Sequence, residues 1–182
     1  MSIYNKINVA VVGATGYTGL DLILMLTKHP KISIKYLCAT KNLGKKITFF
    51  DQRIKKKLPK ISSIKNIDWN KIDLIFLSLP NGEAQKFIKK TYFKNTEMKF
   101  IDLSADFRIT NVKTYEKNYK IKHKAKKLIK DSIYLIPELN KIIKKNIRII
   151  SNPGCYPTSI QIPLVPLIKD NLIKINEITI DS

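Results

Sequence analysis

The sequence predicts an α/β protein built on a doubly wound, mostly parallel sheet. Its opening predicts this first: an apolar run, Ile7-Asn8-Val9-Ala10-Val11-Val12, leads directly into the glycine-rich turn Gly13-Ala14-Thr15-Gly16-Tyr17-Thr18-Gly19. An apolar helix pattern follows at Leu20, Leu22, Ile23, Leu24 and Leu26, ending near His29-Pro30. The second observation is that apolar runs recur at 32–39, 74–79, 98–103 and 147–150. Runs that are apolar throughout, instead of alternating, suit parallel strands covered on both faces.

The elements follow in order. Strand, glycine turn and helix form the context of a dinucleotide-binding loop, so the fold is expected to be Rossmann-type. The first glycine permits the tight turn, the second lets backbone approach a pyrophosphate, and the third lets helix meet strand. The pyrophosphate then sits at the helix N-terminus. Gly13, Thr15, Gly16, Tyr17, Thr18 and Gly19 are the candidate cofactor residues, with spacing G-x-x-G-x-x-G instead of the commoner G-x-G-x-x-G. The second strand ends at Cys38-Ala39-Thr40-Lys41-Asn42, where an NAD site places a carboxylate on the ribose 2′-hydroxyl. A hydroxyl and lysines stand there instead, which suits a 2′-phosphate. NADP is therefore predicted over NAD, with Thr40 and Lys41 as its contacts. Cys38 reads as strand-end packing.

Residues 47–69 read as a surface connection with a short strand or helix. A buried strand over 74–79 ends at Pro80-Asn81-Gly82, and a helix over 83–93 follows. The strand over 98–103 ends at Ser104-Ala105-Asp106-Phe107-Arg108. Ligands of open α/β sheets gather at the carboxyl ends of strands, so residues 79–82, 104–108 and 151–155 should converge. A guanidinium fork suits a carboxylate or phosphate, so Arg108 is either a ligand contact or the ion-pair partner of Asp102 or Asp106. Residues 111–131, rich in lysine and tyrosine, read as a partly helical lid, with His123 on its surface. A short apolar piece, 132–135, precedes Pro137-Glu138-Leu139-Asn140, and 141–145 read as helical. Residues 173–180 alternate as a strand would, with a phase shift between Ile175 and Ile178.

The last strand before that segment runs into Ser151-Asn152-Pro153-Gly154-Cys155-Tyr156-Pro157, and apolar residues at helical spacing follow over 158–168. A cysteine at a strand-to-helix turn is a candidate nucleophile, because helix N-terminal N–H groups stabilise thiolate over thiol. The same N–H groups can hold an oxyanion. A small buried hydrophobe in a turn fits the spacing equally well.

Composition narrows the function classes. The chain has 182 residues, 44% hydrophobic and 26% charged, ordinary for a globular protein. The opening residues carry no signal-peptide pattern, and the two cysteines make no disulfide framework, so a reducing cytoplasm is expected. The formal charge is +20, yet among 34 basic residues the arginines are only Arg53, Arg108 and Arg148. Surplus Lys, Ile and Asn scattered along a chain is what codon drift in an AT-rich genome produces. No nucleic-acid or membrane partner is expected, and no metal site.

Together the motifs resemble the N-acetyl-gamma-glutamyl-phosphate reductases of arginine biosynthesis. The resembling pieces are residues 12–19, 77–82, 101–108, 137–140 and 152–158, in that order. The run Asn152-Pro153-Gly154-Cys155-Tyr156-Pro157-Thr158 is the most specific. The resemblance implies that Cys155 attacks an acyl phosphate and that NADPH reduces the resulting thioester to a semialdehyde. It implies cofactor contacts at Leu79 and Pro80, and substrate or phosphate contacts at Ser104, Arg108 and Asn152. It further implies an NADP-binding domain over 1–152 and the start of a truncated α+β substrate domain over 153–182. On this reading the chain is an N-terminal fragment of an enzyme that is a homo-oligomer at full length. Neither His29 nor His123 matches the family's acid–base histidine. The fragment alone is expected to bind NADP weakly and not to turn over substrate. The alternatives are a reductase of aminoadipyl phosphate and a non-catalytic dinucleotide-binding module.

Overall fold

The apolar run that opens the chain becomes the centre of the sheet. The computed structural model describes residues 6–140 and 146–181. Among these residues the strands are β1 (Ile7–Val12), β2 (Ile32–Cys38), β3 (Ile61–Ser62), β4 (Leu74–Leu77), β5 (Lys99–Asp102), β6 (Ser132–Tyr134) and β7 (Ile149–Ser151). They form one sheet in the order β3-β2-β1-β4-β5-β7-β6, and every pairing is parallel. The helices are α1 (Tyr17–Lys28), α2 (Glu83–Thr91), α3 (Val112–Tyr119) and α4 (Cys155–Lys169).

Alternation along β1 explains the double winding. Successive side chains of a strand point to opposite faces. Val9 and Val11 pack with Leu22, Ile23 and Leu26 of α1. Ala10 and Val12 pack with Ala84, Phe87 and Ile88 of α2 on the other face. Both faces are therefore dry, which is why the strand shows no polar alternation. Helix α1 stops because His29 precedes Pro30 and is held extended, at φ −77° and ψ 125°. The order runs outward from β1 in both directions, so the carboxyl ends of β1 and β4 flank the point where the winding reverses. Among the described residues no helix is long and apolar enough to cross a membrane.

Three expectations change. Residues 111–131 are partly helical, as α3 and a 3-10 segment at Lys126–Asp131, but they are anchored to the core by buried side chains instead of standing off it as a lid. Tyr115, His123, Ala125, Leu128 and Ile129 are all buried. Their polar neighbours in sequence hid this, because the burial of Tyr115 and His123 depends on hydrogen bonds to Asp106 on the preceding loop. Second, residues 173–180 form no strand; a 3-10 turn occupies Ile175–Glu177, and Ile175 and Ile180 are exposed. Alternation marks two faces, but a strand also needs a ladder partner, and the phase shift breaks the register. Third, 132–134 contribute a sheet-edge strand where only a short apolar piece was expected. The helical reading of 141–145 falls outside the described residues.

Candidate active site

The glycine turn is built by close backbone approaches that leave no room for side chains. Gly13 has φ +86°, and a Cβ there would lie 1.9 Å from the Ser78 carbonyl oxygen. A Cβ on Gly19 would lie 2.3 Å from the Gly13 oxygen, so that glycine lets α1 rest on the turn. The N–H groups of Gly13 and Ala14 both donate to the Cys38 carbonyl, at 2.9 and 3.1 Å, tying the turn to the end of β2. Gly16 is different: its Cβ position has only the Gly13 oxygen nearby, at 3.6 Å, and it faces solvent. It caps α1, whose first turn holds no acidic residue. Exposed N–H groups with an uncompensated helix dipole favour an anion there.

A cleft of about 640 Å³ opens beside this turn. Gly13, Thr15, Gly16, Ala39, Thr40, Ser78, Leu79 and Pro80 contribute to its lining, with Ile64 and Phe87 as apolar walls. Its size suits a small-molecule or cofactor site. The turn thus passes the test for a dinucleotide: the space is open where a diphosphate would lie, and the first turn of α1, with no acidic residue in it, opens onto it. Gly13, Thr15, Gly16, Thr40, Leu79 and Pro80 come together here. Tyr17, 93% exposed, and Thr18 begin α1 outside the lining, and Lys41 is exposed and also outside it. Glu83, Lys86 and Lys90 line the cleft unanticipated. Their spacing with Phe87, one helical face, was the available signal.

A buried polar network fixes the wall that Leu79 and Pro80 form. The Asp106 carboxyl oxygens accept from the Gly82 N–H at 2.7 Å, the Gln85 N–H at 2.9 Å and the Tyr115 hydroxyl at 2.7 Å. Asp106 thereby caps α2 from another loop, where Gly82 stands at φ +89° and offers no capping side chain. Asn81 Oδ1 accepts from the Ala105 N–H, joining the same two loops. His123 Nδ1 accepts from the Ala125 N–H, so its Nε2 carries the proton and donates to the Asp106 carbonyl at 2.9 Å. Burial pushes the imidazole pKa down, and both ring nitrogens are engaged, which removes His123 as a base for Cys155.

Cys155 begins α4, with Gly154 as cap. Its thiol is exposed, whereas Cys38 is buried and its pKa is pushed up to about 11 by desolvation. Thr158 donates to the Gly154 carbonyl at 3.0 Å, and Pro157 has no N–H, so Cys155 and Tyr156 carry the free first-turn donors. Arg108 does not pair with a carboxylate among the described residues. Its Nε donates to the Asn152 carbonyl and its Nη2 to the Leu103 carbonyl, both at 2.9 Å. Its Nη1 would lie 2.9 Å from a Cβ on Gly154, so that glycine makes room for the guanidinium beside the cysteine turn. Asn152 is pinned by its N–H to the Asp102 carbonyl. Ser104 is buried, and its Oγ accepts from the Asp106 N–H. Beneath them, Asp102 and Ser151 are register partners on β5 and β7, and Asp102 Oδ2 and Ser151 Oγ have no partner among the described residues. Burial pushes the Asp102 carboxyl up to about 6. Strand β7 lies two places from β4, a lateral step of about 10 Å at ordinary strand spacing. The thiol and the cleft share one edge of the sheet.

The family model for the semialdehyde dehydrogenase NAD-binding domain matches residues 8–148. The chain belongs to this family. Within it, the chain is 39% identical over 178 residues to a probable chloroplastic N-acetyl-gamma-glutamyl-phosphate reductase of Oryza sativa. That match covers 97% of the chain and 42% of the relative. Over 179 residues it is 41% identical to the N-acetyl-gamma-glutamyl-phosphate reductase of Ehrlichia ruminantium, covering 97% of the chain and 51% of the relative. The chain thus spans about half the length of the curated relatives it matches. Among solved structures, aspartate semialdehyde dehydrogenase with NADP from Candida albicans superposes with a TM-score of 0.63 at 20% identity, covering 91% of this chain and 48% of the other. That likeness establishes the semialdehyde dehydrogenase fold.

Proposed function

We propose that the chain carries the NADP-binding part and the nucleophile of an enzyme that reduces N-acetyl-gamma-glutamyl phosphate to N-acetylglutamate semialdehyde in arginine biosynthesis. The observation that supports this most is the exposed Cys155 at the start of α4, on the sheet edge that also carries the glycine cradle. The reductase relatives, similar over 97% of the chain, support the substrate class. Residues 1–152 are the nucleotide domain, and 153–182 belong to a second, substrate-binding unit. In support of that division, β7 ends at Ser151 and α4 buries no residue. Two free cysteines suit a reducing compartment such as the cytoplasm.

The Cys155 thiolate attacks the acyl carbon, and the tetrahedral oxyanion is met by the N–H groups of Cys155 and Tyr156. Collapse breaks the carbon–oxygen bond to phosphate and leaves a thioester on Cys155. Arg108 and Asn152, fixed beside the thiol, face the departing phosphate. NADPH, when bound, supplies the hydride that reduces the thioester, and collapse then frees the aldehyde and the thiolate. Covalent capture divides one difficult reduction into two accessible steps. Gly13, Thr15 and Gly16 would hold the pyrophosphate, Thr40 the adenosine ribose, and Leu79 and Pro80 the nicotinamide half.

Alkylation kinetics test this reading. With iodoacetamide at neutral pH, Cys155 is expected to react on the order of a hundred times faster than Cys38, because thiolate access governs the rate. Mass-spectrometric peptide mapping separates the two sites. A Cys155 as slow as Cys38 would exclude a nucleophile and leave a non-catalytic nucleotide module.

A further inference from the structure

We propose that Lys86 and Lys90, on the cleft face of α2, supply the charge that recognises the ribose 2′-phosphate of NADP(H). The inference rests on the dinucleotide reading of the cleft and names the residues that give it NADP selectivity. The expected reader of that phosphate, Lys41, lies outside the cleft lining, whereas Lys86 and Lys90 lie within it. They share a face of α2 with Phe87, which with Ile64 supplies apolar surface to a lining that also includes Thr40 and the glycine turn. A base resting on that apolar surface would keep its ribose in the same cleft as the lysines.

The charge pattern points the same way. A shallower depression beside the cleft is lined by Lys86, Lys89, Lys90 and Lys124. Like charges four residues apart on a helix repel, so Lys86 and Lys90 disfavour α2 unless an anion lies between them. Among the described residues the ion-pair partner for this cluster is Glu83, 2.6 Å from Lys86 Nζ. Both members of that pair are about half exposed, so the pair is weak and the lysine is free to turn to a dianionic phosphate. Glu83 is also the carboxylate in the cleft lining. If it instead accepted from a ribose 2′-hydroxyl, the site would prefer NAD, so selectivity discriminates the two arrangements.

The test is calorimetric titration of this chain with NADP⁺ and, separately, NAD⁺. Wild type is expected to favour NADP⁺. The Lys86→Ala/Lys90→Ala variant is expected to lose about tenfold or more in NADP⁺ affinity, the size of a charge-assisted hydrogen bond, with NAD⁺ affinity changed less than about twofold. A charge-matched Lys113→Ala/Lys117→Ala variant on α3 controls for the general field. Equal losses for both dinucleotides, or selectivity lost in Lys41→Ala instead, would overturn the proposal. So would a wild type that prefers NAD⁺. Wild type binding neither dinucleotide would refute the cofactor reading itself.

Discussion

Replacing Asp106 by alanine is expected to lower stability by about 4 kcal/mol, since it strands three buried donors at roughly 1–3 kcal/mol each, partly offset by relaxation. The stranded groups are the N–H of Gly82, the N–H of Gln85 and the Tyr115 hydroxyl. Asp106 itself is fully buried, so water cannot replace it without opening the packing around α3. Urea unfolding followed by far-UV circular dichroism reads the loss. Tyr115→Phe removes one of the three bonds to the same carboxyl and is expected to cost about 1 kcal/mol. Equal costs for the two variants would show that Asp106 does not organise the 79–82 wall.

Gly13→Ala is expected to be comparably severe, and for a different reason. Its Cβ would overlap the Ser78 carbonyl, with contacts of 1.9 Å to oxygen and 2.7 Å to carbon. Backbone cannot yield there as a flexible side chain would, because Ser78 N–H is held by the Val12 carbonyl at 2.8 Å. Positive φ adds about 1–2 kcal/mol and overpacking about 1–3, so a loss of roughly 2–5 kcal/mol is expected. In a domain of this size that lowers Tm by about 10 °C. Gly82→Ala is the control. It shares a positive φ of +89°, but its Cβ would meet only side chains at ordinary distances, Ile121 at 3.5 Å and Gln85 at 3.9 Å. Its cost should stay near the strain alone, about 1–2 kcal/mol. Similar Tm losses for Gly13→Ala and Gly82→Ala would mean that the close approach of the two loops is not what requires glycine at position 13.

How much of this was legible in the chain follows from where each signal resides. Strand β1, its turn and α1 were readable because a parallel strand buried on both faces needs apolar residues at every position from Val9 to Val12. The glycine turn was readable because its close backbone packing forbids side chains at Gly13 and Gly19. The convergence of 79–82, 104–108 and 151–155 followed from topology alone. What the sequence concealed depends on long-range contacts. Tyr115 and His123 are polar enough to suggest surface, and they are buried because Asp106, on the loop after β5, satisfies their hydrogen bonds. Lys86 and Lys90 could not be told from the many other lysines until α2 was oriented over the cleft. Residues 173–180 carried a genuine two-residue period, but periodicity cannot say whether a partner strand exists.

The central claim is that the opening turn holds a dinucleotide pyrophosphate against bare backbone at Gly16. Gly16→Val tests it most directly, because the protein has room for the added side chain. The backbone at Gly16 is extended, at φ −78° and ψ 160°, which a β-branched residue adopts readily. The variant should therefore fold with only the small loss expected of a poorer helix cap, about 0.5–2 kcal/mol. NADP⁺ titration of the folded variant is expected to show affinity reduced by about a hundredfold or more, since the branched side chain displaces the phosphates from the helix N-terminus. A Gly16→Val protein that folds and binds NADP⁺ as tightly as wild type would contradict the account.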